Sequence, residues 1–354
     1  MDIDTSYYYA IDLLKKMIAI PSFSREEKDV ADMLEDHMKE MNLFPKRKGN
    51  NIWLSSPNWD EKKPVVLLNS HIDTVKPVAG WTKDPFGAEE EGDQLFGLGS
   101  NDAGASVVSL FYSFLLLSQT NQTNNFIFLA SCEEEVSGKD GIESVLSELP
   151  SIDLAIVGEP TQMQPAIAER GLMVLDGIVK GKSGHAARNE GENAIYNAIQ
   201  VINWFKETTF PLKSELLGAV KMTVTMIDSG TQHNVIPDEC RLTVDVRSNE
   251  HYSNKELFEL IAANCGCVIK ARSYRLNSSG ISMEHPIVQR AILLGLEPFG
   301  SPTLSDQALM PFLSLKIGPG QSSRSHTANE YILKAEIREA IEFYIRFLGS
   351  PMQD

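Results

Sequence analysis

Four short, largely apolar runs constrain this chain most: Val65-Val66-Leu67-Leu68, Phe126-Ile127-Phe128-Leu129-Ala130, Leu154-Ala155-Ile156-Val157 and Phe312 to Ile317. Each has the length of a strand, and the first three are apolar throughout, while the fourth includes Ser314 and Lys316. Helical patterns separate them, and apolar strands divided by helices specify a mostly parallel sheet covered on both faces. The expected fold class is therefore α/β. Between about Arg170 and Ser273 the pattern changes: Cys240, Leu242, Val244 and Val246 alternate with Arg241, Thr243, Asp245 and Arg247, which describes a strand with one wet face. A helical stretch from Asn193 to Phe205 lies in the same region, and the order strand, helix, strand, strand, helix, strand predicts a small α+β sandwich. The expected division is a main α/β domain of residues 1–169 and 276–354, interrupted by an inserted domain of residues 170–275.

The chain has 354 residues, enough for two domains at ~150 residues each. Its first helix is expected from Ser6 to Ile18. Ser24 and Glu27 have the spacing of a capping box, so a second helix is expected to begin there. The window Val107 to Leu117 is about half the ~20 residues that span a bilayer and reads as a buried helix. Lys+Arg 32 against Asp+Glu 48 leaves a net charge of −16, with no cluster of basic residues. That argues against nucleic acid as a partner, since phosphate affinity needs clustered Lys and Arg. The four cysteines, Cys132, Cys240, Cys265 and Cys267, contain no Cys-x-x-Cys pair and suggest neither a zinc ribbon nor a disulfide framework. The acidic start Met1-Asp2-Ile3-Asp4 lacks the basic region of a signal peptide. A cytoplasmic protein with no membrane partner is expected.

Ligands of open α/β sheets bind at the carboxyl ends of the strands. Here the four runs are followed by His71-Ile72-Asp73, by Glu133-Glu134-Glu135, by Gly158-Glu159-Pro160, and by a glycine-rich loop reaching His326. Asp102 lies just ahead of the expected buried helix. So many carboxylates at one sheet edge raise each other's pKa unless a cation neutralises them. Donors of His, Asp and Glu without thiolate suit zinc, cobalt or manganese. Five donors exceed the three of an open catalytic zinc, so two ions sharing one carboxylate, ~3.5–4 Å apart, fit the number better.

His71-x-Asp73, Asp102, Glu134-Glu135, Gly158-Glu159-Pro160 and His326 resemble, in order and approximate spacing over nearly the whole chain, the family of acetylornithine deacetylase, succinyl-diaminopimelate desuccinylase, aminoacylase and glutamate carboxypeptidase. The resemblance implies a zinc-peptidase-like catalytic domain with an inserted lid or dimerisation domain, and possibly a homodimer through it. It implies that His71 and Glu159 hold one metal ion, Glu135 and His326 the other, and that Asp102 bridges them. Asp73 would orient His71, and Glu134 would be the general base. Gly181-Lys182-Ser183-Gly184-His185 resembles the lid motif whose histidine reaches the reacting carbonyl, often in the partner's site. Asn234 and Arg247 match substrate-binding positions, and Arg324 is a candidate partner for a substrate carboxylate. Departures are Ala103-Gly104-Ala105 after the bridging Asp, Glu133 where Asp is usual, and Asn329 where Asp is usual. The implied reaction is hydrolysis of an N-acyl amino acid, N-acetylornithine in arginine biosynthesis first. N-succinylornithine, N-acetylcitrulline, N-succinyl-diaminopimelate and dipeptides are the alternatives.

Overall fold

The four apolar runs become four neighbouring parallel strands. In the computed structural model, which describes residues 1–188 and 190–349, strand Val65–His71 pairs in parallel with Asn125–Ser131 on one side and Leu154–Val157 on the other. Ser314–Lys316 then pairs in parallel with Leu154–Val157. Every residue of these four strands is buried, which is why the first three runs are apolar throughout; in the fourth, Ser314 and Lys316 are buried polar residues. Antiparallel strands extend the sheet: Asn51–Ser55 and Lys46–Lys48 beyond Asn125–Ser131, and Ala166–Glu169 beyond Ser314–Lys316.

Helix Ala105–Leu117 contains the Val107 to Leu117 window, and of its residues only Leu116 is not buried. It packs on the sheet and against helices Ile3–Ile18 and Lys334–Leu348. Phe111 and Phe114 face Phe128 of the sheet, with ring centroids 5.3 and 6.4 Å apart. The first helix starts at Ile3, earlier than expected, because the Asp2 carboxylate caps it by accepting from Thr5 N–H at 2.8 Å.

The chain divides into two compact units. The first comprises Met1–Ile167, Ile281–Phe299 and the residues from Ser305 on; the second comprises Ala168–Gly280 and Gly300–Leu304. The second unit is thus wider than 170–275, and it includes a short return segment that no pattern in the sequence marks. Its antiparallel sheet runs in the order Lys221–Ser229, Glu239–Arg247, Met173–Lys180, Val268–Ala271. Cys240, Leu242, Val244 and Val246 line the buried face, as their alternation predicts, and pack with Ala198 and Ile261 of helices Ala194–Glu207 and Asn254–Asn264. Among the described residues no helix is long and apolar enough to cross a membrane.

Phe128 is fully buried between sheet and helix. Phe128→Ala is expected to destabilise the protein by ~3–5 kcal/mol through lost apolar burial and the cavity left behind. Urea unfolding of the two proteins side by side measures it.

Candidate metal centre and catalytic site

His71 ends its strand, buried, with Nδ1 2.9 Å from its neighbour Asp73's carbonyl oxygen and 3.4 Å from that residue's carboxylate. Nδ1–H donates to the carbonyl, so Nε2 faces the other way. There it meets Asp102 Oδ1 at 3.2 Å and Glu159 Oε1 at 3.9 Å. The other carboxylate oxygen of Asp102 lies 3.6 Å from His326 Nε2, which is 3.0 Å from Glu135 Oε1. The five expected ligands therefore form one chain of contacts, Glu159, His71, Asp102, His326, Glu135, with Asp102 in the middle and one oxygen turned to each histidine. Ligand atoms of His71, Asp102 and Glu135 lie within 4.8 Å of one another.

The electrostatics fit a cation. Burial pushes Glu134 well above the usual carboxylate range, with Glu159 and Asp306 adding repulsion, and burial raises Glu159 to about 8. The hydrogen bond to Glu135 raises His326 to about 9. Burial opposes protonation of His71, but bonds to Asp102 and Asp73 outweigh it and lift its pKa well above normal. Protons are thus held where positive charge is needed.

Asp73 does more than orient His71. Its carboxylate accepts from Ser24 Oγ–H at 2.7 Å and from the N–H groups of Glu134 and Glu135 at 3.0 and 3.1 Å, so it ties two strand ends together. This overturns the expected capping box. Ser24 is drawn to Asp73, and Glu27, fully buried, accepts from the N–H groups of Arg25 and Glu133 and from Asn50 Nδ2. The helix consequently starts at Lys28 without a side-chain cap. Glu133 adopts a left-handed backbone, φ +57°, and its side chain lies where a Cβ on Gly138 would collide with it. The three glutamates are therefore not a solvated loop.

Glu330 and Asp306 had no role in the sequence reading. Glu330 is buried and accepts from the N–H groups of Gly99, Asn101 and Asp102 at 3.1, 2.9 and 3.0 Å, holding the Asp102 loop. Burial raises its pKa to about 8. Asp306 accepts from Asn69 Nδ2 at 2.9 Å and Ser131 Oγ at 2.7 Å, behind two strand ends. The only hint was Glu330's place in the segment that carries His326. Asn329 replaces an acid without losing an acceptor, since its Oδ1 receives the N–H groups of Thr82 and Lys83.

Two expected substrate contacts look different in the structure. Arg324 is buried, its Nη1 paired with Glu336 at 2.7 Å and its guanidinium 4.5 Å over the Tyr331 ring, so it is no free cation. Arg247 is held by both oxygens of Asp245, at 2.8 and 3.1 Å. In the second unit, Gly184–His185 pairs with Val235–Ile236, and Ala186 N–H donates to the Asn234 carbonyl at 3.0 Å. The His185 and Asn234 motifs, distant in sequence, thus share one exposed two-stranded ribbon.

Residues 167–268 match the family model described as a peptidase dimerisation domain, M20_dimer. Over the length of the chain the likeness extends to a solved aminopeptidase PepT of Bacillus cereus ATCC 10987, with TM-score 0.77, 16% identity, and 97% of this chain and 98% of that one covered. The chain has the M20 peptidase fold with a dimerisation domain. Metallopeptidases and amidohydrolases of the M20 family are among the proteins it is similar to, and the chain carries a His/Asp/Glu group that could bind a metal ion. A dinuclear metal binding peptidase of that family from Bacillus subtilis has the same fold, with TM-score 0.72, 18% identity and 98% of each chain covered. Relatives at the sequence level include a succinyl-diaminopimelate desuccinylase of Wolbachia sp. subsp. Brugia malayi, 25% identical over 96% of this chain and 92% of its own length. A LysW-lysine/LysW-ornithine hydrolase of Sulfurisphaera tokodaii is 28% identical over 94% and 93%. An acetylornithine deacetylase of Pectobacterium atrosepticum is 28% identical over 80% and 79%.

The M20-type site without metal carries a pH dependence of known sign. Glu159 titrates at 4.5 in the unfolded chain and about 8 in the folded one, and His326 at 6.5 and about 9. Across both intervals the folded state holds the extra proton, so stability falls as pH rises. Chelated protein is expected to lose thermal stability from about pH 4.5 to about pH 9. Saturating zinc or manganese, which holds His326 neutral and Glu159 ionised, is expected to flatten that slope. Thermal melts across the range, with chelator and with metal, test both.

Proposed function

We propose that the chain hydrolyses the amide bond of an N-acyl amino acid, removing the acetyl group from the α-nitrogen of N-acetylornithine as a step of arginine biosynthesis in the cytoplasm. The observation that carries the reaction class is Asp102 with an oxygen turned to each of two histidines, each of which adjoins one further carboxylate. His71 and Glu159 would hold one divalent ion and Glu135 and His326 the other, with Asp102 common to both. A donor set of imidazole and carboxylate with two imidazoles suits zinc, with cobalt and manganese next. When bound, the ions lower the pKa of a water molecule and polarise the amide carbonyl.

The chain's own groups do the rest. Glu134 accepts the proton of the attacking water and passes it to the departing nitrogen, so no net proton is left on the enzyme. Asp73 keeps Glu134 and Glu135 in register through their N–H groups. His185 donates to the oxygen that gains charge as water adds to the carbonyl, and Asn234 and Arg247 contact the substrate. The acetyl group is favoured over succinyl because Arg324, the cation weighed as partner for a second carboxylate, is engaged by Glu336. The Pectobacterium relative, an acetylornithine deacetylase, supports the same reading.

Amine release from N-acetylornithine, N-succinylornithine, N-acetylcitrulline, N-succinyl-diaminopimelate and a dipeptide, with zinc or cobalt supplied and then chelated, tests the proposal. Chelator-sensitive turnover of N-acetylornithine is expected. Preference for another member of the panel replaces the substrate and keeps the reaction class. Glu134→Gln is expected to lower the rate ~10²–10⁴-fold with metal content unchanged; a variant that keeps its rate removes Glu134 as the base.

The same proposal includes a homodimer through the second unit. Strand Lys221–Ser229 is the edge of its sheet, with Met226 and Ile227 exposed, and the adjoining helix Ala194–Glu207 exposes Ile195, Tyr196 and Ile199. An unpaired edge beside an apolar helix face is suited to a second copy of itself. Tyr196→Glu with Ile199→Glu is expected to give a monomer in sedimentation velocity. Full activity in that monomer places the action of His185 within its own subunit or removes it from catalysis.

A further inference from the structure

Cys265 and Cys267 flank Gly266, where the chain leaves helix Asn254–Asn264 and enters strand Val268–Ala271 of the second unit. Gly266 has φ +74°, a left-handed turn that folds the two cysteines toward each other and that a larger residue would strain. Their sulfurs are 3.7 Å apart, and the Cys265 thiol is also 3.5 Å from the Cys267 carbonyl oxygen. That is roughly 1.6 Å beyond the ~2.05 Å of a disulfide bond. All four cysteines are reduced, and Cys267 is the one that is not buried.

The surroundings indicate what could reach it. Both cysteines line a cleft of about 770 Å³ together with Lys180, Asn197, Gln200 and Trp204. This volume lies in the range of small-molecule sites, ~300–1,000 Å³, and its polar lining consists of the amides of Asn197 and Gln200, the Glu192 carboxylate and Lys180, whose ammonium is paired with Glu239 at 2.6 Å. Among the described residues no group of three metal-type donors includes either sulfur. Two thiols alone at this spacing are better suited to reversible oxidation than to holding an ion.

We propose that Cys265 and Cys267 form a reversible dithiol–disulfide site, oxidised by a small peptide disulfide of the glutathione class. The sulfur of Cys267, partly buried where that of Cys265 is buried, attacks one sulfur of the oxidant; the oxidant's S–S bond breaks, and its first thiol leaves with one proton. Cys265 then attacks the Cys267 sulfur, the mixed disulfide breaks, and the second thiol leaves with the other proton. The pair loses two electrons and two protons, and the oxidant becomes two thiols. The second attack is favoured by geometry, since the turn at Gly266 already holds the two sulfurs 3.7 Å apart. A bridge closed over so short a loop is strained and therefore easily reduced again.

The test uses the intact native protein in buffers of oxidised and reduced glutathione, quenched with acid, alkylated and read by mass spectrometry. Wild type is expected to go from four free thiols to two, lighter by two hydrogens, with the bridge mapped to Cys265 and Cys267 and reversed by reduced glutathione. Cys265→Ser is expected to stop at one stable glutathione adduct on Cys267, because nothing is left to expel it. Cys267→Ser is expected to take up none, because Cys265 is buried. A wild type that keeps four thiols, or that retains a glutathione adduct at Cys267 without closing the bridge, overturns the proposal. So does a bridge that involves Cys132 or Cys240.

Discussion

Negative charge concentrated at one edge of a buried sheet is the constraint on which the rest of this structure depends. Asp73, Asp102, Glu134, Glu135 and Glu159 all leave the carboxyl ends of parallel strands or the loop beside them, where little water is available to screen them. Two outcomes are physically open to such a cluster: it takes up protons, or it takes up metal ions. The raised pKa values of Glu134, Glu159, His71 and His326 show the first outcome in the metal-free chain. The same geometry, with Asp102 between two histidines, accommodates the second.

Holding that charge in place requires a second layer of groups that never touch the centre. Asp73 accepts two backbone N–H groups of the glutamate turn, Glu330 accepts three from the Asp102 loop, and Glu27 reaches the N–H of Glu133. Each is a carboxyl group whose oxygens accept backbone N–H groups and so satisfy donors in the loops around the centre. The glycine-rich loop before His326 closes the arrangement from another side. A Cβ on Gly318 would meet the backbone of Glu159 at 2.6 Å, and one on Gly320 would meet Asn101 Oδ1 at 2.3 Å. Backbone approaches this close leave room for no side chain there, so the loop positions His326 and Glu159 relative to one another.

The parallel strands and the inward face of Glu239–Arg247 were legible because burial dictates hydrophobicity residue by residue, and the candidate ligands His71 and Glu159 drew attention because they stand at or just beyond the ends of such strands. The antiparallel additions were not, since Lys46–Lys48 is three basic residues whose place is set by pairing with Asn51–Ser55 rather than by burial. Ser24 and Glu27 show how a correct local pattern loses to tertiary structure. The same Ser-x-x-Glu spacing at Ser253 and Glu256 does form a capping box, on an exposed helix start where nothing competes for the side chains. At Ser24 the competitor is a buried carboxylate one strand away. Glu330 and Asp306 were illegible for a related reason: they act on backbone N–H groups or amide side chains far away in sequence, and such contacts impose no spacing.

The centre therefore determines the class of reaction and leaves the substrate to other residues. Relatives about equally distant from this chain bear names that differ in both acyl group and amino acid, so the shared ligands cannot encode the choice. Two of the three residues considered for substrate contact by charge or polarity, Arg247 and Arg324, are already paired with acids of this chain. A guanidinium paired in this way can meet a substrate carboxylate only by giving up or sharing its partner, and a buried pair resists that because the abandoned acid is left without compensation. The pair of Arg324 is buried whereas that of Arg247 is partly exposed, so Arg247 is the one that can exchange its partner at lower cost. Arg247 lies in the second unit, which also carries the His185 and Asn234 ribbon.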